Sequence, residues 1–182
     1  MTLAAWAELD EEVRGELVDG VLEEEEVPTI IHDLVVTWLI HVFWTWVHRR
    51  GGAVVGSETK FAVGKRTGRK PDVAVFLKGQ VPSGHVTLVQ SAPWIAVEVI
   101  SPRPRDQRRD RVAKLREYAK AGFRYYWLVD PAMRTVEILE LERGRYAHAV
   151  SATEGTLKNI PGCGGLTLRL GEMWKLIDEL ED

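Results

Sequence analysis

The chain has 182 residues, of which 45% are hydrophobic and 28% charged, which excludes a disordered chain and is typical of one globular domain spanning residues 1–182. It shows no uninterrupted apolar segment that predicts a transmembrane helix, and the acids within residues 1–15 exclude a signal peptide, so we expect a cytoplasmic protein with no membrane partner. The single cysteine, Cys163, excludes an intrachain disulfide and a cysteine-rich zinc site.

The net charge of −3 conceals an uneven distribution along the chain. From Lys60 to Arg124 there are fifteen Lys and Arg residues against five Asp and Glu, whereas the remainder has nine against twenty-two. Local potential, not total charge, attracts a charged ligand. The middle of the chain is therefore a basic segment in an acidic protein, and either a solvated surface or an anion-binding surface.

The first part of the chain predicts two helices with a hairpin between them. Residues 1–15 have the spacing of a short amphipathic helix, and the residues from Glu16 to Glu23 alternate around Asp19-Gly20, which is a strong hairpin signal. The four acids from Glu23 to Glu26 are expected to be solvated and to protect an edge strand. Apolar residues then recur at helical spacing from Thr29 to Arg50, where Thr29 can cap the helix.

One stripe of the long helix carries His41, Trp44 and His48. Because no third ligand has suitable spacing, a partly exposed face or a homodimer contact is favoured over a metal site.

The second part predicts a sheet with one helical crossover. Residues 64–70 are expected to form an exposed, mobile loop. A helix from Asp106 to about Ala121 separates two apolar strands, which predicts parallel strands joined by a right-handed crossover. The strands are predicted at residues 53–58, 71–77, 94–102, 125–131, 135–141 and 145–150, with a short strand and helix over 166–180. The fold class is α/β (α+β), a central mixed β-sheet flanked by helices with an N-terminal β-hairpin.

Glu98 lies in the middle of the most apolar of these strands, from Trp94 to Pro102. Alternation places Trp94, Ala96, Glu98 and Ile100 on one face. A buried, unpaired carboxylate costs several kcal/mol, on the order of magnitude usual for buried charges, so Glu98 must be paired, protonated or bound to a cation. It is therefore either a metal ligand or acid-base group, or a structural partner of a nearby arginine.

A second carboxylate, Asp72, begins another core strand, and Lys114 lies on the helix that follows Glu98. Carboxylate oxygens hold magnesium or manganese, and a magnesium site uses one or two of them together with waters and substrate phosphates. Such an ion makes water more acidic, and a lysine ammonium can stabilise the charge that develops on a phosphodiester. Asp72, Glu98 and Lys114 thus predict a Mg²⁺ (or Mn²⁺) hydrolytic site.

Several motifs together resemble the Uma family of restriction-endonuclease-like proteins, in the PD-(D/E)XK nuclease superfamily. The resemblance covers roughly residues 16–170. It is carried by Pro71-Asp72, Val97-Glu98-Val99-Ile100-Ser101-Pro102, Asp110-Arg111-Val112-Ala113-Lys114-Leu115, Tyr118-Ala119-Lys120-Ala121-Gly122, Tyr126-Trp127-Leu128-Val129-Asp130-Pro131, Glu16-Leu17-Val18-Asp19-Gly20 and His32.

The resemblance implies a restriction-endonuclease-like core with Asp72 and Glu98 as metal ligands. The chain departs from the superfamily pattern at Ile100, where a lysine is expected two residues after the second acid. Lys114 is the residue that would replace it, as in the Uma family generally. Glu16 and His32 are additional candidates for the site.

Three functions compete on these observations. The first is a magnesium-dependent DNA endonuclease whose basic segment contacts phosphates without reading sequence. The second is a catalytically inactive nucleic-acid-binding or regulatory module on the same fold, and the third is a structural homodimer held by the tryptophan-rich helix. The candidate phosphate contacts are Arg103, Arg105, Arg108, Arg109 and Arg111.

Overall fold

The protein is described here by a computed structural model that covers residues 1–10, 12–24 and 27–181. The chain begins with helix α1 (Leu3–Ala7), the hairpin strands β1 (Glu16–Val18) and β2 (Val21–Glu23), and helix α2 (Ile30–Val47). Strands β3 (Ala53–Gly56), β4 (Phe61–Ala62), β5 (Gly68–Arg69), β6 (Val73–Phe76) and β7 (Ile95–Val99) follow. Helix α3 (Pro104–Arg108), a π-helical turn (Arg109–Lys114) and helix α4 (Leu115–Ala121) then lead to β8 (Tyr125–Asp130), β9 (Thr135–Glu142), β10 (Arg145–Ala152), β11 (Thr156–Leu157), β12 (Leu168–Arg169) and α5 (Leu170–Glu181).

The centre of the fold is a six-stranded sheet in the order β10-β9-β8-β7-β6-β3. Its neighbouring strands are antiparallel except for β7 and β8, which run parallel because the helix of residues 104–121 crosses over between them. The predicted mixed sheet and the predicted parallel pair are confirmed. A smaller sheet, β2-β1-β5-β4, contains the N-terminal hairpin.

Each face of the large sheet is covered by different helices. Helices α2 and α5 pack on one face, where Phe43 and Trp174 join the apolar residues of the strands. On the other face, Tyr118 from α4 packs with Ala96 and Ile100 of the β7 segment. Glu98 shares this second face by alternation. Trp94, which precedes β7, departs from the predicted face and packs with the first cluster, where its indole N–H donates to the Gly162 carbonyl at 2.9 Å.

The N-terminal hairpin forms as predicted, with positive φ angles of 49° at Asp19 and 86° at Gly20. Such angles suit a tight two-residue turn between antiparallel strands.

The expected helix over residues 1–15 is shorter, ending at Ala7, and it is anchored by buried Trp6. The Trp6 ring lies so close to Gly68 that a Cβ there would be 2.3 Å away. Of the four predicted solvated acids, Glu23 is exposed on β2, whereas Glu25 and Glu26 lie outside the described residues.

The segment 64–70 is the exposed loop that its composition predicts only over residues 64–66, and residues 67–70 are buried. Gly68 and Arg69 form strand β5, and the Arg69 side chain is buried. The difference arises because Arg69 forms ion pairs with Glu16 and Glu117, which are distant in the sequence. Buried charges that are paired in this way are stable where unpaired ones are not.

Helix α2 begins at the predicted cap, where the Thr29 side chain accepts a hydrogen bond from the His32 N–H.

Residues Ile30–Arg50 form an apolar helix with mean hydropathy 1.5, long and apolar enough to cross a membrane by length and composition. The expectation that no segment meets that test is therefore wrong. Core helices of globular proteins meet it too. Here Leu39 and Phe43 are buried against the sheet, and the exposed positions include polar Thr37 and His41.

Candidate active site

The two candidate carboxylates lie side by side at one end of β6 and β7. Val73 pairs with Val97 in this antiparallel ladder, so Asp72 is positioned opposite Glu98. The Asp72 Oδ2 accepts a hydrogen bond of 2.7 Å from the Val99 N–H, which fixes the carboxylate at the end of β7. The strand register therefore brings together two residues that are 26 positions apart in the sequence.

Glu98 is 3% exposed and both of its oxygens accept hydrogen bonds. Lys114 donates from Nζ to Oε2 at 2.8 Å, and Tyr118 donates its hydroxyl to Oε1 at 2.6 Å. Burial raises the pKa of Glu98 well above its usual range against the opposing charge of Lys114, and the charges of Asp72 and other acids raise it further. A neighbouring cation opposes this rise in pKa and favours the ionised form of Glu98.

Lys114 supplies that cation from the π-helical turn. Its Nζ also lies 3.4 Å from Glu16 Oε1 and 3.4 Å from Asp110 Oδ1. Burial alone would lower the pKa of Lys114, but the charges of Glu16, Glu98 and Asp110 raise it above its usual value, so the ammonium is retained. Ile100, where the superfamily pattern has lysine, is buried among apolar side chains on the same face. Lys114 thus reaches Glu98 from a different element.

His32 contacts Asp72, whereas Glu16 contacts Lys114. The His32 Nε2 is 3.3 Å from Asp72 Oδ2, and its Nδ1 is 3.4 Å from Asp33. Burial lowers the pKa of His32, but the hydrogen bonds and charges of Asp72 and Asp33 outweigh that effect and raise it to about 9. His32 is therefore an imidazolium at neutral pH.

Glu16 is buried and accepts hydrogen bonds from Arg69 Nη1 and from the Lys70 N–H, both at 2.8 Å. Burial alone would raise the pKa of Glu16, but the charges of Lys114 and Arg69 lower it below its usual value. Glu16 is therefore an ionised partner of Lys114.

The five candidate phosphate contacts fall into two groups. Arg109 is paired with Asp106 at 3.0 Å and Asp110 at 3.1 Å, and Arg111 with Asp130 at 3.0 Å and Glu137 at 2.6 Å. A phosphate would have to compete with these carboxylates for both guanidinium groups. The side chains of the second group lie at the surface, and Arg105, which is 71% exposed, also lies 3.6 Å from Asp106. This group consists of Arg103, Arg105 and Arg108.

A family model described as "Putative restriction endonuclease", Uma2, matches residues 2–171 of the chain. This protein belongs to the Uma2 family. A crystal structure described as "a putative nuclease belonging to DUF820" from Anabaena variabilis has the same fold, with a TM-score of 0.77 at 21% identity, over 96% of this chain and 98% of that one. No curated protein matches the chain. The predicted family and the predicted nuclease-like fold are confirmed, and the family supports a nuclease-like function.

In this Uma2 protein, the carboxylate pair opens into a cleft of about 630 Å³. Asp72, Glu98 and Lys114 line it together with His32 and Arg109. A second cleft of about 320 Å³ adjoins the first, and Asp106 and Arg109 line both. A cleft of this size with a few converging polar groups is the usual form of a ligand-binding site.

The donor set suits a magnesium ion, which typically takes one or two carboxylates and fills its other positions with water. Asp72 and Glu98 are such a pair. Within the described part of the chain, no group of three or more acidic, histidine or cysteine side chains converges as a metal site. Lys114 and Tyr118 donate hydrogen bonds to both oxygens of Glu98, so an entering ion would have to share them.

Tyr118 and Asp110 also belong to the site, although they were not among the predicted site residues. Tyr118 lies in an apolar cluster, yet its hydroxyl is the closest donor to Glu98. Asp106 is also buried at the junction of the two clefts. The signal that could have found them is their spacing, because polar residues recur every four positions from Asp106 through Asp110 and Lys114 to Tyr118.

Proposed function

We propose that this Uma2 protein is a Mg²⁺- or Mn²⁺-dependent endonuclease that hydrolyses phosphodiester bonds in DNA. The observation that supports it best is the pairing of Asp72 with Glu98 at the edge of a cleft, with the Lys114 ammonium 2.8 Å from Glu98. Two carboxylates can hold a magnesium ion, and a lysine ammonium can stabilise the negative charge that develops on a phosphodiester. These three residues come from different elements, and the fold brings their side chains together.

Asp72 and Glu98 are the residues that would hold the ion. When bound there, magnesium supplies Lewis acidity, which activates water and neutralises the phosphate. Lys114 opposes protonation of Glu98 and can stabilise negative charge on the phosphate, because Glu16 and Asp110 hold its ammonium in place. Burial of these groups strengthens every charge interaction within the site.

His32 and the surface arginines would orient the nucleic acid. The imidazolium of His32 faces the cleft beside Asp72 and carries a positive charge that attracts a phosphate. Arg103, Arg105 and Arg108 lie on the loop and helix that follow β7, where Arg103 lines the same cleft and Arg105 lines the adjoining one. Such cations bind any phosphate backbone, so we expect DNA binding with little direct sequence readout.

The test is cleavage of plasmid, linear and single-stranded DNA by wild-type protein and by Glu98→Gln, with Mg²⁺, Mn²⁺ or EDTA. The variant keeps the size of the side chain and removes its charge, so we expect a loss of at least about 100-fold, at the upper end of what disrupting a metal site costs. The matched control is Glu140→Gln on β9. Glu140 also accepts a hydrogen bond from a tyrosine hydroxyl, that of Tyr125 at 3.2 Å, and pairs with an arginine, but it does not line the cleft.

Metal-dependent cutting that Glu98→Gln loses and Glu140→Gln retains would support the proposal. Cutting that persists in Glu98→Gln would contradict the assignment of the site. DNA binding without cutting in every metal would instead favour the catalytically inactive binding module, for which chelation of the metal should leave binding unchanged.

A further inference from the structure

The helix that carries Lys114 is not a regular α-helix. Segments α3 and α4 are α-helical, but the six residues between them, Arg109–Lys114, form a π-helical turn. A π-turn has i→i+5 hydrogen bonds and so accommodates about one residue more than α-helical winding, and such turns are frequent at functional sites. The turn lies beside Glu98, so the effect of the turn on the position of the site residues can be tested.

The extra residue changes which side chains share a face. Asp106, Asp110, Lys114 and Tyr118 are all buried, at 3% exposure or less. In an uninterrupted α-helix each residue advances by about 100°, so Asp106 and Tyr118 would lie about 120° apart around the axis. With about one residue inserted between them, that angle falls to about 20°. The π-turn therefore brings the polar residues onto one line that faces the sheet.

A hydroxyl from the sheet holds this turn. Tyr126 lies on β8, is fully buried, and donates to the backbone carbonyl of Asp110 at 2.9 Å. Its ring contacts the Tyr118 ring edge-on, at a centroid distance of 5.1 Å. A buried carbonyl needs a donor, and here the donor comes from the strand next to the one that carries Glu98. The turn and the carboxylate are thus tied to the same part of the sheet.

We propose that the π-turn Arg109–Lys114 determines which side chains of the crossover helix face Glu98. Tyr126 is a positioning residue, whose hydroxyl fixes the winding that brings Lys114 and Asp110 to Glu98. The purpose of this arrangement rests on the proposed nuclease function. The position of Lys114, however, can be measured without metal or substrate. A measurement of the position of Lys114 can therefore contradict the role of the π-turn without contradicting the proposed function.

The experiment compares Tyr126→Phe with Tyr146→Phe. Tyr146 is a matched control, because its hydroxyl also donates to a backbone carbonyl, that of Phe123 at 2.7 Å, but outside the π-turn. Each protein, free of metal, is treated with acetic anhydride at neutral pH, and acetylation of Lys114 is quantified by mass spectrometry. Wild-type Lys114 is buried and paired and should react slowly. We expect Tyr126→Phe to raise its labelling at least about tenfold, and Tyr146→Phe to stay within about twofold of wild type.

A second variant tests the winding itself. Deletion of Val112, which is exposed within the turn, removes the extra residue and should rotate Asp110 by about 100° relative to Lys114. Labelling of Lys114 should again rise at least about tenfold.

Lys114 that stays equally protected in Tyr126→Phe and Tyr146→Phe would overturn the inference, as would full protection in the Val112 deletion. Such a result in a protein that cuts DNA would leave the proposed function intact. Conversely, deprotection of Lys114 in the two variants, together with a wild-type protein that cuts no nucleic acid, would support the role of the π-turn and contradict the function.

Discussion

Each carboxylate of the site is paired with at least one cation. Lys114 contacts Glu98, Glu16 and Asp110, Arg69 also pairs with Glu16 and Arg109 with Asp110, and His32 contacts Asp72. Like charges at such distances raise one another's pKa and are stabilised by added positive charge. At the scale of single residues, the proposed divalent cation would offset the charges of Asp72, Asp110 and Glu16, which raise the pKa of Glu98.

His32 gives a prediction about stability and pH. Its pKa is raised to about 9 in the folded protein, from 6.5 for an ordinary histidine. A raised pKa contributes stability that is fully present below pH 6.5 and is lost as pH rises through about 9. In metal-free buffer, the unfolding free energy of wild type should therefore exceed that of His32→Gln by up to about 3 kcal/mol at pH 6, and this difference should shrink by pH 9.5.

The measurement is urea denaturation of both proteins at several pH values. The control is His85→Gln, because His85 is an exposed loop residue outside the cleft. A difference between wild type and His32→Gln that grows as pH rises would refute the assigned charge of His32.

At the scale of elements, one buried ion network joins the small sheet to the crossover helix. Arg69 on β5 pairs with Glu16 on β1 at 2.8 Å and with Glu117 on α4 at 2.7 Å. Glu16 in turn contacts Lys114. The network therefore positions the N-terminal hairpin against the helix that carries the catalytic lysine candidate, and it explains why a segment rich in lysine, arginine and glycine is ordered as a strand.

Arg69→Met should be strongly destabilising. Removing one partner leaves Glu16 buried beside fewer cations, and breaking a buried pair in this way costs about 3–5 kcal/mol. Arg134→Met is the matched control, because Arg134 pairs with Asp178 at the surface, where such pairs contribute about 0–1 kcal/mol. Chemical denaturation measures both. Equal losses of unfolding free energy in the two variants would contradict the structural role of Arg69.

At the scale of the whole molecule, the basic segment and the cleft lie together. Arg103 and Arg109 both line the cleft, and the crossover helix begins at its edge. This places positive charge where a nucleic acid would approach the carboxylates, within a protein whose net charge is −3. A homodimer through α2 and a cytoplasmic location stay predictions.

Arg108 gives the prediction that belongs to this scale. It is exposed and has no ion-pair partner within the described residues. If it contacts a phosphate, Arg108→Ala should weaken DNA binding similarly for all sequences and reduce the slope of log affinity against log salt by about 1. The control is Arg145→Ala, an exposed arginine on the edge strand β10. Fluorescence anisotropy over a salt series measures both, and an equal change in the two slopes would argue against a DNA surface at the crossover helix.

Much of the fold could be predicted from the sequence, because the signals that specify it are local. Alternation along β7 placed Glu98 on the face it occupies, Thr29 marked the start of α2, and Asp19-Gly20 marked the hairpin turn. The apolar strands on either side of one helix indicated the parallel pair, since a crossover is what joins parallel neighbours. The carboxylates Asp72 and Glu98 were identified in the same way, as charges in apolar strands.

Only the tertiary structure decided how the charges are paired. The burial of Arg69 depends on Glu16 and Glu117, each about fifty residues away along the chain. The contact of Lys114 with Glu98, and the addition of Tyr118 and Asp110, depend on a π-turn that no local propensity predicted. Periodicity and capping are properties of neighbouring residues, whereas the partner of a buried charge is chosen by the three-dimensional packing that excludes water around it.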